Sequence, residues 1–249
     1  MSVLLERAKL WTAAEKDKGL QAALMERCRR DPIYWFNNFC WTFDPRTQGD
    51  LPFMLYPYQE WCIKEWFENI KNPQDFGIEK SRDMGVSWMI MLLFQYCWLF
   101  HKGWHFHCGS KKEDEVCTAT VDPSTLFGKF RYNLYRLPKW MRPAKSKLVD
   151  KKLMIQNLDN GNILTGESAN PGFGRSRRFR AILLDEFAFW ESAPVVYGGC
   201  SATTNCRIIN STPFGENNKF AELMNDERNE LRVPPTNDQI QTSLETSPS

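Results

Sequence analysis

Apolar residues along the chain gather in short runs separated by polar loops, and short runs alternate with longer ones. Residues 2–29 are charged and helix-forming and read as one or two helices ending near Asp31-Pro32. Residues 32–44 (PIYWFNNFCWTFD) are aromatic without a clear period and read as irregular, followed by a turn-rich loop, DPRTQGDLP. A helix is expected from about Tyr58 to Ile70, behind Pro57. Gly77–Lys80 is a short strand candidate, and loop 81–86 leads into a helix over 87–101. The apolar run Trp88–Phe100 (WMIMLLFQYCWLF) has 13 residues, short of the roughly 20 that span a bilayer, and reads as a buried helix. Residues 104–109 (WHFHCG) read as a strand, and polar residues 111–136 as helical on both sides of Asp122-Pro123. Segments 152–156 and 162–166 are expected to pair across Asp159-Asn160-Gly161, a strong turn signal. The unbroken apolar run AILLD at 181–185 has the character of a central parallel strand, and CRIINS at 206–211 of another.

Strands alternating with helices predict an α/β fold, a mostly parallel sheet with helices on both faces. In such sheets ligands bind beyond the carboxyl ends of the strands, so the loops after residues 80, 109, 185 and 211 are where chemistry is expected. No internal repeat is visible. Residues 229–249 are polar, contain Pro-Pro, and read as a linker or disordered tail behind a domain over 1–228.

Composition narrows this little. The 249 residues are 42% hydrophobic, enough for one large domain. A formal net charge of +2 predicts no partner by itself, so any nucleic-acid surface has to be a local patch. The eight cysteines form no C-x-x-C pair and no secreted disulfide pattern, which points to reduced thiols in a cytosol. His105-Phe106-His107-Cys108 contains metal-capable side chains, but its alternation suits a buried strand. No signal peptide opens the chain.

The candidate chemistry begins at KSRDMGVSW, residues 80–88. A phosphate-binding loop normally reads G-x-x-x-x-G-K-[ST], with a lysine on the phosphates and a hydroxyl on Mg²⁺. Gly85 and Ser87 fit that pattern, yet Val86 stands in the lysine position and Lys80 in that of the first glycine. Ser87 would turn its hydroxyl and N–H toward an anion at the helix start; the plain alternative is an ordinary serine cap. In RAILLDEFAFW (180–190), an apolar strand ends in Asp185-Glu186, the Walker B arrangement. Asp185 would hold Mg²⁺ while Glu186 orients and deprotonates the attacking water. The alternative is a strand followed by an acidic helix cap. Tyr58 would stack on a base and Gln59 would read adenine through its amide, or both are helix-start packing. Arg175, Arg177, Arg178 and Arg180 suit either an arginine finger or a stripe gripping a DNA backbone. IINSTPFG (208–215) runs a strand into small polar residues that at a sheet edge would sense a γ-phosphate; the plain alternative is a strand and a turn.

Taken together, YQ at 58–59, KSRDMGVS at 80–87, GSKKEDEV at 109–116, GRS at 174–176, ILLDEFAFW at 182–190 and NSTPFGENNKF at 210–220 resemble the ATPase domain of the large terminase subunit of tailed bacteriophages, from about Asp31 to Met224. Terminases of the lambda type carry a deviant loop, K-S-A-R-x-G-x-S, with its lysine at the head. Lys80, Gly85 and Ser87 fall on that spacing, whereas Arg82-Asp83 departs from Ala-Arg. The resemblance implies a P-loop NTPase fold of the RecA/ASCE type and Mg²⁺-dependent ATP hydrolysis that threads double-stranded DNA into a procapsid. It implies ATP binding by Tyr58, Gln59 and the loop Lys80, Ser81, Arg82, Asp83, Met84, Gly85, Val86 and Ser87. Ser87 and Asp185 become metal ligands and Glu186 the catalytic glutamate. Arg175 or Arg178 becomes the arginine finger, with Arg177 a further choice because Ser176 replaces the family's glycine. Ser211, Thr212 and Pro213 match the coupling motif.

The implied partners are DNA, the portal protein of the procapsid and the small terminase subunit, with no membrane. A ring-shaped homo-oligomer is implied when active, with a monomer an option in isolation, in the host cell cytoplasm. Full-length large terminases add a C-terminal nuclease with clustered aspartates. After residue 224 only a polar tail follows, so no DNA cleavage is expected from this polypeptide. Two other readings stay open: a helicase-like nucleic-acid ATPase, and a nucleotide- or DNA-binding module with weak hydrolysis, which Val86 favours.

Overall fold

The structure, a computed structural model, describes residues 3–46, 49–81 and 84–225. Helices α1 (Val3–Lys16), α2 (Lys18–Arg30) and α3 (Pro32–Phe39) lead into strands β1 (Trp41–Asp44) and β2 (Gly49–Pro52), which pair antiparallel. Residues 32–44 are therefore regular, against expectation. The Asp31 carboxylate accepts the Tyr34 N–H and Pro32 occupies the first turn, so α3 starts capped. Trp35, Phe36 and Phe39 then fall on one buried helical face, a period hidden by the aromatics around it.

Helix α4 (Pro57–Lys71) precedes β3 (Phe76–Glu79), α5 (Val86–Phe100) and β4 (Phe106–Ser110). Next come α6 (Glu113–Val116), α7 (Leu126–Arg136), β5 (Leu148–Lys151), β6 (Met154–Asn157) and β7 (Ile163–Ser168). Strand β8 (Ala181–Asp185), helix α8 (Ala193–Cys200), strand β9 (Arg207–Ser211) and helix α9 (Lys219–Asn225) complete the described chain. The residues assigned to a tail, 229–249, lie outside it.

Seven strands form the main sheet in the order β3-β9-β8-β4-β7-β6-β5. The first five run parallel, while β6 and β5 are antiparallel additions. The expected pairing across Asp159–Gly161 is present as β6–β7, with Gly161 at φ 78° in the turn. Strand β5 extends it by one strand that the sequence reading did not place. On one face lies α5, apolar almost all round and buried from Met89 to Trp98, packed among α3, α4 and α7. The other face is covered by Phe173, Phe187, Trp190 and the buried sides of α8 and α9. All eight cysteines are buried free thiols. No helix among the described residues is long and apolar enough to cross a membrane.

Helix α7 depends on a close backbone approach. Thr125 caps it, accepting the Gly128 N–H at 2.9 Å and donating to the Asp122 carbonyl at 2.9 Å. A Cβ at Gly128 would lie 1.6 Å from that same carbonyl oxygen. Intrinsic helix propensity favours alanine over glycine by about 1 kcal/mol. Gly128→Ala is nevertheless expected to destabilise the domain by on the order of 3 kcal/mol, as overpacking against backbone does. Urea unfolding checks the sign: a rise in stability would show that loop 122–125 yields freely.

Candidate functional site

Because β3, β9, β8 and β4 run parallel, the loops after them emerge at one edge of the sheet. The strand between β3 and β8 is β9, the last in sequence. Lys80 follows β3 directly, its N–H donating to the Ser211 carbonyl at 3.1 Å. Its ammonium meets Glu186 Oε1 at 2.8 Å, both side chains being largely buried. Gly85 sits at φ 73°, a left-handed conformation that suits glycine, and its carbonyl accepts the first helical N–H, from Met89. Ser87, in the first turn of α5, donates its hydroxyl to Asp185 Oδ1 at 3.1 Å.

Asp185 ends β8 at 7% exposure. Burial, reinforced by the neighbouring Glu186 charge, pushes its carboxyl pKa above the usual range; Lys80, the Asn210 amide and Lys129 pull the other way. Successive side chains on a strand point to opposite faces, so two adjacent carboxylates would normally diverge. Here Glu186 adopts φ 53°, ψ 41°, and is alone among the described non-glycine residues in having positive φ. Such a conformation costs about 1–3 kcal/mol and persists only when its surroundings enforce it. Trp190 Nε1 donates to the Asp185 carbonyl at 3.0 Å, the Ala188 N–H donates to Ser211 Oγ at 3.2 Å, and Phe187 and Trp190 anchor the turn in the core. The turn delivers Asp185 to Ser87 and Glu186 to Lys80.

Asn210 was not singled out from sequence. It is fully buried on β9, donates Nδ2 to Asp185 Oδ1 at 2.5 Å, and leaves its own Oδ1 without a hydrogen-bond partner. An orphaned amide oxygen beside a carboxylate and a serine hydroxyl is a set of hard oxygen donors that fits Mg²⁺, which takes one or two protein ligands and completes its shell with phosphates and water. No cluster of three or more His, Cys, Asp or Glu side chains suited to a metal occurs among the described residues.

In front of this edge lies a cavity of about 710 Å³, walled by the β1–β2 pair, the start of α4, loop residues Met84–Trp88, Lys80 and Lys129. The β1–β2 wall and Lys129 were likewise not foreseen. Tyr58 lines the cavity and stacks on exposed Tyr56, ring centroids 6.0 Å apart. Gln59 also lines it, but its amide is partly engaged. Its Oε1 accepts the Tyr56 N–H at 3.0 Å and its Nε2 donates to the Met84 carbonyl at 3.4 Å, tying α4 to the loop. One N–H and one lone pair of the amide remain. Ser81 is exposed, and Arg82 and Asp83 lie outside the described residues.

Thr212 Oγ1 reaches Glu186 Oε2 at 3.5 Å, and Pro213 follows it, exposed. The arginines do not gather here. Arg175 packs on Gly199 of α8, where a Cβ would lie 3.0 Å from its guanidinium. Arg178 lines a separate cleft of about 300 Å³ with Ser201–Asn205, before β8 begins. The five residues of β8 span roughly 13 Å, so Arg178 stands at the opposite end of the strand from Asp185. Within one chain Arg178 therefore does not reach the edge that holds Lys80 and Glu186. Arg180 is committed to the Ile70 and Lys71 carbonyls. His107 lies in β4, bonded to Thr165 and Glu167, as a buried strand residue.

No protein-family profile matches the sequence, and no curated protein matches it significantly. Solved structures do. The large terminase of bacteriophage HK97 superposes with a TM-score of 0.59 at 13% identity, over 86% of this chain and 42% of that one. The large terminase of the thermophilic bacteriophage D6E, in complex with ADP, gives 0.49 at 14% identity, over 75% and 47%. The large terminase ATPase domain of Thermus phage P74-26 gives 0.45 at 16%, over 64% and 67%. The chain spans about four-tenths of the length of the HK97 protein. Its fold, a mostly parallel sheet with helices on both faces, is similar to that of the HK97 large terminase over the part they share.

Proposed function

We propose that the chain is a Mg²⁺-dependent ATPase that powers movement of double-stranded viral DNA into a procapsid. The observation that carries this is the convergence of two pairs at one sheet edge, Lys80–Glu186 at 2.8 Å and Ser87–Asp185 at 3.1 Å, beside a cavity of about 710 Å³. Mg²⁺ held by Ser87 and Asp185 would neutralise charge on the phosphates. Lys80 holds the phosphate chain, and Glu186 orients the attacking water and takes its proton. Tyr58 and the remaining hydrogen-bonding capacity of Gln59 face the base, with Met84–Val86 along the phosphates. Ser211, Thr212 and Pro213 connect the γ-phosphate site to the moving parts. A finger from Arg175 or Arg178 comes from a neighbouring subunit, which calls for a ring of copies. Portal protein and small terminase subunit are the assembly partners, and the host cytoplasm is the place of action.

The test is calorimetric titration of the purified chain with ATP, with and without Mg²⁺, followed by phosphate release with and without double-stranded DNA. Binding that depends on Mg²⁺ and is abolished by EDTA, with turnover stimulated by DNA, is expected. Failure to bind ATP would overturn the proposal. Binding without any turnover, DNA present, would favour the nucleotide-binding module.

A further inference from the structure

Lys129 is the fourth residue of α7 and is only 9% exposed. Its side chain folds back past the start of the helix, where Nζ donates to the Ser124 carbonyl at 2.5 Å and reaches the Thr125 carbonyl at 3.5 Å. It lies 5.8 Å from the centroid of the Trp88 ring and lines the same cavity as Lys80, Gly85, Val86 and Ser87. Much opposes a cation there. Burial disfavours the charge, the positive end of the α7 dipole is adjacent, and Lys80 is close enough to oppose it. Asp185 and Asp122 favour the charge from a distance, but among the described residues no carboxylate makes an ion pair with it. The direct partners are neutral carbonyls, held in place because Gly128 lets loop 122–125 press against the helix. A buried ammonium without a direct counter-ion, on the wall of a phosphate loop whose usual lysine is a valine, asks for an anion.

We infer that Lys129 is a second polyphosphate-binding residue, whose ammonium approaches the β- and γ-phosphate oxygens from α7 and supplies the charge that position 86 lacks. This rests on the nucleotide reading above. Lys80 serves the phosphates from the end of β3 and Lys129 from α7, both lining one cavity with Ser87. Burial holds the Lys129 pKa down at about 8, which leaves most of the ammonium charged near neutral pH, and a bound phosphate would favour that charge further.

Two measurements test it. Lys129→Met keeps the apolar stem against Trp88 and removes the charge, and its unfolding midpoint without nucleotide establishes that it is folded. ATP affinity is expected to fall about tenfold or more, as for loss of a charge-assisted contact, ADP affinity by less, and AMP affinity not at all. A structural defect would weaken all three alike. Independently of any variant, an ATP acyl phosphate transfers its acyl group to amines beside the phosphates. Mass spectrometry of the unmutated chain is expected to find Lys80 and Lys129 acylated, both protected by excess ATP. Unchanged ATP affinity in folded Lys129→Met, or labelling of Lys80 without Lys129, overturns the inference and leaves the nucleotide reading standing. An unmutated chain that binds no ATP removes both.

Discussion

Glu186→Ala is expected to leave Mg·ATP binding intact or slightly tighter while lowering turnover by roughly 10²–10⁴-fold, the contribution of a positioned general base. The sign on binding follows from the pair Lys80–Glu186 at 2.8 Å. Without the carboxylate, the ammonium is no longer shared between Glu186 and the phosphates. Calorimetry and single-turnover phosphate release separate the two effects, and lost binding would assign Glu186 a different task. The backbone supplies a second readout. At φ 53° alanine is as strained as glutamate, whereas glycine is not. Glu186→Gly should therefore be more stable than Glu186→Ala by about 1 kcal/mol in urea unfolding, although both are inactive.

Lys80→Ala is expected to remove turnover to a similar extent and, unlike Glu186→Ala, to weaken ATP binding as well, because the phosphates lose a fixed cation in a partly dry site. Near-normal turnover would sink the relocated-lysine reading. The sharper measurement adds Val86→Lys to that variant. Val86 opens α5 and lines the cavity, so a lysine there reaches the phosphates. It does not replace the contact to Glu186 made from the end of β3. ATP affinity should return and turnover should not. Recovery of both would show that the lysine need only be near the phosphates.

Much of this arrangement was legible because it is local. The apolar run 181–185, the run 88–100 and the Asp159–Gly161 turn each carry their own signal, and each became the element expected. What escaped was set by long-range packing. Lys129 belongs to a segment with no motif around it, and Asn210 opens a quoted motif whose weight fell on Ser211–Pro213; they reach the site through α5–α7 packing and β8–β9 pairing. Strand β1 was concealed by aromatics that looked irregular, and β2 by the turn-forming residues of DPRTQGDLP. Strand direction also fixes where Arg178 lies. A strand parallel to its predecessor must be entered from the amino edge, so residues just before β8 cannot sit at its carboxyl end. Within one chain this keeps Arg178 away from Asp185.

Ser211 has a mechanical consequence. Its carbonyl accepts the Lys80 N–H and its hydroxyl accepts the Ala188 N–H, so one residue of β9 grips the ends of both neighbouring strands. Lys80 and Glu186 lie on loops of β3 and β8, which are not paired with each other. Ser211 therefore links the two loops through their backbone N–H groups, beside their direct contact at 2.8 Å. Segment 212–218 leaves β9 directly after this residue, so the start of that segment and the loops of the lysine and the glutamate share one anchor.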